Sequence, residues 1–116
     1  MPNITSETQD DVLKVYLRDI RLSEDGLVES VGAELNTLIN SIQSKKMLVN
    51  LRDVSFMNSS MIGKLVQLNS RCKNESIEFR LCEMNDNLLE VFNLMQLPKI
   101  MQIHPSEQSA FESFAD

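Results

Sequence analysis

Ser59 and Ser60 stand just before Ile62, Leu65, Val66, Asn69 and Cys72, which recur at helical spacing, and are reached from the buried-strand run Met47–Leu51 through Asp53-Val54-Ser55-Phe56-Met57-Asn58. Such a spacing places small hydroxyl side chains at a helix N-terminus, beyond the carboxyl end of a strand. In open α/β sheets that edge is where ligands and partners dock. A helix start also presents unpaired N–H groups and partial positive charge, which favour an anion such as a phosphate. The plainer role for Asn58 or Ser59 is capping, since Asn and Ser are among the best N-cap residues. Little other chemistry is visible. His104 is the one histidine, set before Pro105, and there is no CxxC, HExxH or Gly-rich phosphate loop. A zinc site would have to draw on Cys72, Cys82, His104 and a carboxylate at spacings unlike any usual ligand set, so neither a metal nor a cofactor is expected. One histidine and no nucleophile elbow give a hydrolase triad no signature. The chain reads as a binding module rather than an enzyme.

The elements that must position these residues follow from periodicity. Residues 1–11 read as a polar N-terminal segment, and 12–116 as a single domain. Leu13, Val15 and Leu17 alternate with Lys14, Tyr16 and Arg18, which predicts a strand with one buried face over 12–20. Ser23-Glu24-Asp25-Gly26 is a turn signal. Val28, Val31, Leu35, Leu38, Ile39 and Ile42 then recur in steps of three and four, an amphipathic helix that tolerates Gly32 at about 1 kcal/mol. Met47-Leu48-Val49-Asn50-Leu51 has the continuous apolar look of a strand buried on both faces. After the serines and their helix, Ile77, Phe79 and Leu81 alternate with Glu78, Arg80 and Cys82 as another strand. Leu88, Phe92 and Met95 carry a short helix capped by Asn85 and ended near Leu97-Pro98, because Pro disfavours helix in the residue before it. Ile100-Met101-Gln102-Ile103 is a last strand, and Ser106 caps a terminal helix with Ala110, Phe111 and Phe114 inward. Strands alternating with helices predict an α/β fold with a mostly parallel or mixed sheet of about four to five strands and about four helices packed on it.

Composition narrows the function. The 116 residues carry 11 Lys plus Arg against 17 Asp plus Glu, a formal charge of −6 that argues against nucleic acid as a partner. Aromatic residues make up 5% and Trp is absent, so no base-stacking platform is expected. Hydrophobic content of 42% suffices for a real core. No apolar run approaches a membrane span, and the first residues show neither a basic nor an apolar signal region, so the expected location is the cytoplasm, with Cys72 and Cys82 reduced and buried.

Val49-Asn50-Leu51, Val54-Ser55-Phe56-Met57-Asn58-Ser59-Ser60, Ile62-Gly63, and Leu88-Leu89-Glu90-Val91-Phe92 with Leu97 and Ile100 together resemble the STAS domain of anti-sigma factor antagonists. The family's central pattern is hydrophobic-Asp-Ser-Ser-Gly-hydrophobic-Gly. Ser59 falls on the serine that the family phosphorylates, Ser60 on the next, and Gly63 on the second glycine. Asn58 stands in place of the Asp and Met61 in place of the first glycine, and the family's Gly-x-Leu-Asp is missing at Arg21-Leu22-Ser23-Glu24. The resemblance implies a protein whose unphosphorylated form binds an anti-sigma factor serine kinase and frees the sigma factor, with phosphorylation of Ser59 switching the binding off. It implies a partner surface of Met57, Asn58, Ser60, Met61, Lys64 and Gln67, extended by Asn85, Asp86 and Asn87. The alternative reading is a STAS scaffold in a bacterial signalling complex that recruits its partner without being phosphorylated. A receiver-like domain fits poorly, because no acidic cluster follows the first predicted strand and no Asp ends the 47–51 strand.

Overall fold

Met47, Leu48 and Val49 are fully buried because strands lie on both sides of them and helices cover both faces of the sheet they belong to. The computed structural model describes residues 3–18 and 20–114. Along the chain come β1 (Ile4–Gln9), β2 (Val12–Leu17), β3 (Ile20–Leu22), α1 (Asp25–Ser41), β4 (Lys46–Asn50), β5 (Val54–Met57), α2 (Ser59–Asn74), β6 (Glu78–Cys82), α3 (Asp86–Leu94), a 3-10 turn (Leu97–Lys99), β7 (Gln102–His104) and α4 (Glu107–Glu112). The main sheet has the order β1-β2-β4-β6-β7. All its pairings are parallel except β1 with β2, and β3 pairs with β5 in a separate two-stranded parallel ribbon. The expected α/β domain is therefore present, with a five-stranded mixed sheet and four helices.

One side of the sheet packs against α1 and α2. Val28, Val31, Leu35 and Ile39 of α1 and Ile62, Leu65, Leu68 and Cys72 of α2 meet Val15, Leu17, Met47, Val49, Phe79 and Leu81 in the main core. Burying side chains of this size contributes about 1.5–3 kcal/mol each. Among the described residues, no helix is long and apolar enough to cross a membrane.

Several expectations shift. The segment expected to be a polar tail forms β1 from Ile4, closed onto β2 by a two-residue turn in which Asp10 and Asp11 adopt φ of 50° and 68°. Its sequence hid it because only Ile4 is buried, and an edge strand held by its ladder needs no apolar alternation. The strand expected over 12–20 ends at Leu17, and Ile20–Leu22 turns away to pair with β5. Helix α3 stops at Leu94; Gln96, at φ 59°, reverses the chain before Leu97-Pro98 is reached. The last strand starts at Gln102, leaving Ile100 exposed.

The second face of the sheet is covered as well. Lys14, expected on a solvent face, is 7% exposed because α4 lies over it. Its ammonium bonds Gln9, sits 3.4 Å from Glu107 Oε2 and lies 4.7 Å from the Phe111 ring centroid. Asn50 Nδ2 donates to Glu107 Oε1 at 3.0 Å, and the Glu107 N–H donates to Glu83 Oε2 at 2.8 Å. Val12, Leu48, Cys82, Ala110 and Phe114 form the apolar cluster beside this network.

Burial alone raises the pKa of the Glu107 carboxyl, but the Asn50 amide, the Tyr16 hydroxyl and the Lys14 ammonium together more than reverse that, and the group is held below the ordinary carboxylate range. A depressed folded-state pKa stabilises the protein above the unfolded value and is lost as pH falls through the folded one. Stability of the native chain is thus expected to decline as pH drops below about 4.3, and Glu107→Gln should flatten that acid limb in urea unfolding curves taken at stepped pH.

Candidate partner-binding site

Asn58 is the N-cap of α2, in extended backbone conformation with φ −83° and ψ 172°. Its Oδ1 accepts from the Met61 N–H at 2.9 Å. The other half of the same amide donates from Nδ2 to the Ser23 carbonyl at 3.2 Å, and the Asn58 backbone N–H donates to the Leu22 carbonyl at 2.8 Å. One residue therefore closes the helix start and ties it to the end of β3. Asn85 repeats the device at α3. Its Oδ1 accepts from Leu88 N–H at 2.8 Å while Nδ2 donates to the Ser55 carbonyl of β5 at 3.2 Å. Both helix starts are held on the β3–β5 ribbon. The capping half of each amide is readable from sequence; the donor half, which reaches across 35 residues at Asn58, is not.

With Asn58 as the cap, Ser59 and Ser60 are the first two residues of the helix, and both are exposed. The first turn of α2 carries no acidic side chain, so the partial positive charge of the helix start is not offset by one there. Gln67 is exposed further along α2, and Asp86 and Asn87 are exposed in the first turn of α3.

Three expected surface residues lie elsewhere than on an open face. Met57 is 4% and Met61 0% exposed, both within the main core. The side chain at position 61 points inward because Ile62, Leu65 and Leu68 on the same helix face the core with it. The bulk that replaces the family's glycine therefore fills the interior rather than a partner's path. Lys64 is half-buried, its Nζ 3.0 Å from Glu29 Oε1. Its stem lies over Gly32 of α1, where a Cβ would meet Lys64 Cδ at 2.8 Å. Lys64 thus clamps α2 onto α1, and Gly32 is the space it occupies.

Two exposed side chains of the ribbon escaped the sequence reading. Arg21 lies with its guanidinium 4.4 Å from the Phe56 ring centroid, and these residues are paired across β3 and β5. The signal was faint, since three-residue β3 shows no periodicity of its own. Burial raises the thiol pKa of Cys72 to about 11 and of Cys82 to about 12, so neither is a thiolate nucleophile at neutral pH. Among the described residues, no three His, Cys, Asp or Glu side chains are grouped to hold a metal ion.

The division of labour between neighbours can be measured. Asn58→Ala removes a cap and a cross-loop bond and should destabilise the fold by about 1–2 kcal/mol. Ser59→Ala, at an exposed position without a capping duty, should change it by less than about 0.5 kcal/mol. Urea denaturation of the two variants checks the contrast.

Residues 3–110 match the STAS domain family. An anti-sigma-factor antagonist (STAS) domain protein from Planctomyces limnophilus has the same fold, with a TM-score of 0.84 and 21% identity over 99% of each chain. An anti-sigma factor antagonist from Mycobacterium paratuberculosis gives a TM-score of 0.79 at 15% identity, over 97% of this chain and 95% of the other. The Bacillus cell fate determinant SpoIIAA in its phosphorylated form gives 0.69 at 20% identity, over 96% and 98%. A family pattern that runs through every strand and reaches into α4, on a fold shared along nearly the full length of these proteins, makes the chain a member of the STAS domain family.

Proposed function

We propose that this protein is an anti-sigma factor antagonist: unphosphorylated, it binds an anti-sigma factor serine kinase and so frees the sigma factor, and phosphoryl transfer from ATP to Ser59 ends that binding. The observation that carries the reading is the separation of cap and acceptor. Asn58 does the structural work at the helix start, which leaves the Ser59 hydroxyl exposed and free for chemistry. The Asn58–Ser60 stretch, Gln67, Asn85, Asp86 and Asn87 would form the contact surface, with Met57, Met61 and Lys64 supporting it from within.

The switch needs no rearrangement of the fold. Phosphorylation puts about −1.5 to −2 charge where a neutral hydroxyl stood. The start of α2 tolerates that charge, because its N–H groups and dipole favour an anion. A kinase surface packed closely on Ser59 does not tolerate it. A penalty of about 2.8 kcal/mol already weakens binding a hundredfold.

Intact-mass analysis after incubation with ATP and a serine kinase that binds the chain tests this on wild type, Ser59→Ala and Ser60→Ala. One added phosphate is expected on wild type and Ser60→Ala and none on Ser59→Ala, with the phosphorylated form binding the kinase at least a hundredfold more weakly. Binding without any phosphate gain would replace the switch by the constitutive scaffold.

A further inference from the structure

The free edge of β1 and the groove beside it are built to accept one more strand. In the β1–β2 hairpin the two-residue turn makes Gln9 and Val12 the closing hydrogen-bonded pair, and the Arg18 N–H bonding the Asn3 carbonyl at 2.9 Å marks the same alternation at the other end. The main-chain groups of Ile4, Ser6 and Thr8 therefore point away from β2. β1 is the last strand of the sheet, so among the described residues no neighbouring strand receives them. Within Ile4–Gln9 the edge has no Pro, no Lys and no bulge, and its one charged side chain is Glu7, on the face turned away from α1.

Beside that edge, α1 is incompletely covered. Ile4, Ser6 and Thr8 share the strand face turned to α1, and two of the three are small and hydroxylic. A cavity of about 370 Å³ opens among Ile4, Ser30, Ala33, Glu34, Thr37 and Leu38, and its lining is mostly apolar. A second, of about 500 Å³, opens at the other end of the strand against Thr8, Leu13, Leu38 and Ile42, with Asp11 at its rim. Leu38 lines both, so the two form one groove along the length of β1. A strand added at the edge would lay every second side chain over Leu38 and its neighbours.

The geometry points to an extended segment of a partner protein as the occupant, with apolar residues at alternate positions and a basic residue towards each end. The charge of the groove selects it. Glu34, whose carboxylate accepts from two neutral donors, the Asn3 N–H and Nδ2, stands at one end and Asp11 at the other, Asp10 adjoins Asp11, and among the described residues no Lys or Arg lines either cavity. A second copy of this chain, paired antiparallel through β1, would bring its own Asp10 and Asp11 against Glu34 and would be repelled. The surface is separate from the Ser59 loop, so it would serve a second partner or a second contact to the same one. Main-chain hydrogen bonds would supply the affinity and the groove the specificity.

The test is an NMR titration of the whole isotopically labelled chain with the peptide acetyl-Lys-Thr-Val-Thr-Val-Thr-Lys-amide, whose Val and terminal Lys side chains share one strand face, and with its counterpart carrying Glu for every Lys. The basic peptide is expected to shift the amides of Ile4, Ser6 and Thr8 most and to slow their solvent exchange at least tenfold, while the acidic one binds at least tenfold more weakly. Ser6→Pro removes an N–H that no internal partner uses, and Leu38→Gln spoils the groove without touching the strand; each should weaken the basic peptide at least tenfold, and Ser59→Ala should leave it unchanged. Three results overturn the proposal: no shift of β1 amides at millimolar basic peptide, equal binding of the two peptides, or concentration-dependent shifts of these amides in the protein alone, which would mean self-pairing.

Discussion

The amide of Asn58 is bonded in two directions at once, and the surface around Ser59 depends on it. As acceptor it closes α2; as donor it holds the carbonyl of Ser23, so the end of β3, the end of β5 and the start of α2 meet at one side chain. A carboxylate in this place would still accept from the helix but could not donate to a carbonyl, and would face that oxygen with like charge. Asn58 therefore makes the junction a neutral clamp. It also means that a phosphate on Ser59 meets no carboxylate in the residue before it, which removes one source of repulsion at that position.

The parts of the fold that were legible in the sequence are those whose periodicity is imposed by burial on one side. Helices α1 and α2 show it through Val28, Val31, Leu35 and Ile39 and through Ile62, Leu65 and Cys72, and β4 shows the unbroken run of a strand enclosed on both faces. The caps at Asn85 and Ser106 were legible because capping is a local bond within four residues. What stayed hidden was decided by distant chain. Strands β3 and β5 are three and four residues long and exist because they pair with each other. The inward turn of Met61 follows from the phase of a helix whose start depends on Asn58, and one residue of error at that start moves a side chain by about a quarter turn around the axis. For the same reason the exposure of Ser59 could be read only after the cap had been placed.

The two faces of the sheet are held by different physics. The α1–α2 face is a continuous apolar core. The α4 face combines a small apolar cluster with Lys14, Asn50, Glu83 and Glu107, which bond one another and also reach Gln9 and Arg52. A helix of six residues buries too little to hold itself in place. Its orientation is set by the carboxylate of its first residue, which reaches both β2 and β4.

That arrangement has a consequence for how the molecule comes into being. Lys14 and Glu107 are 93 residues apart, while the apolar core can assemble from segments that end at Leu97 and Met101. A chain emerging during synthesis would therefore close one side of its sheet while Val12, Leu48 and Cys82 still faced solvent on the other. In that interval the cations of that face, Lys14 on the middle of β2 and Arg80 on β6 against Phe114, work against misassociation, because a buried unpaired charge is costly to any apolar surface that would cover it wrongly. Lys14 thus acts first as a gatekeeper and only later as an anchor.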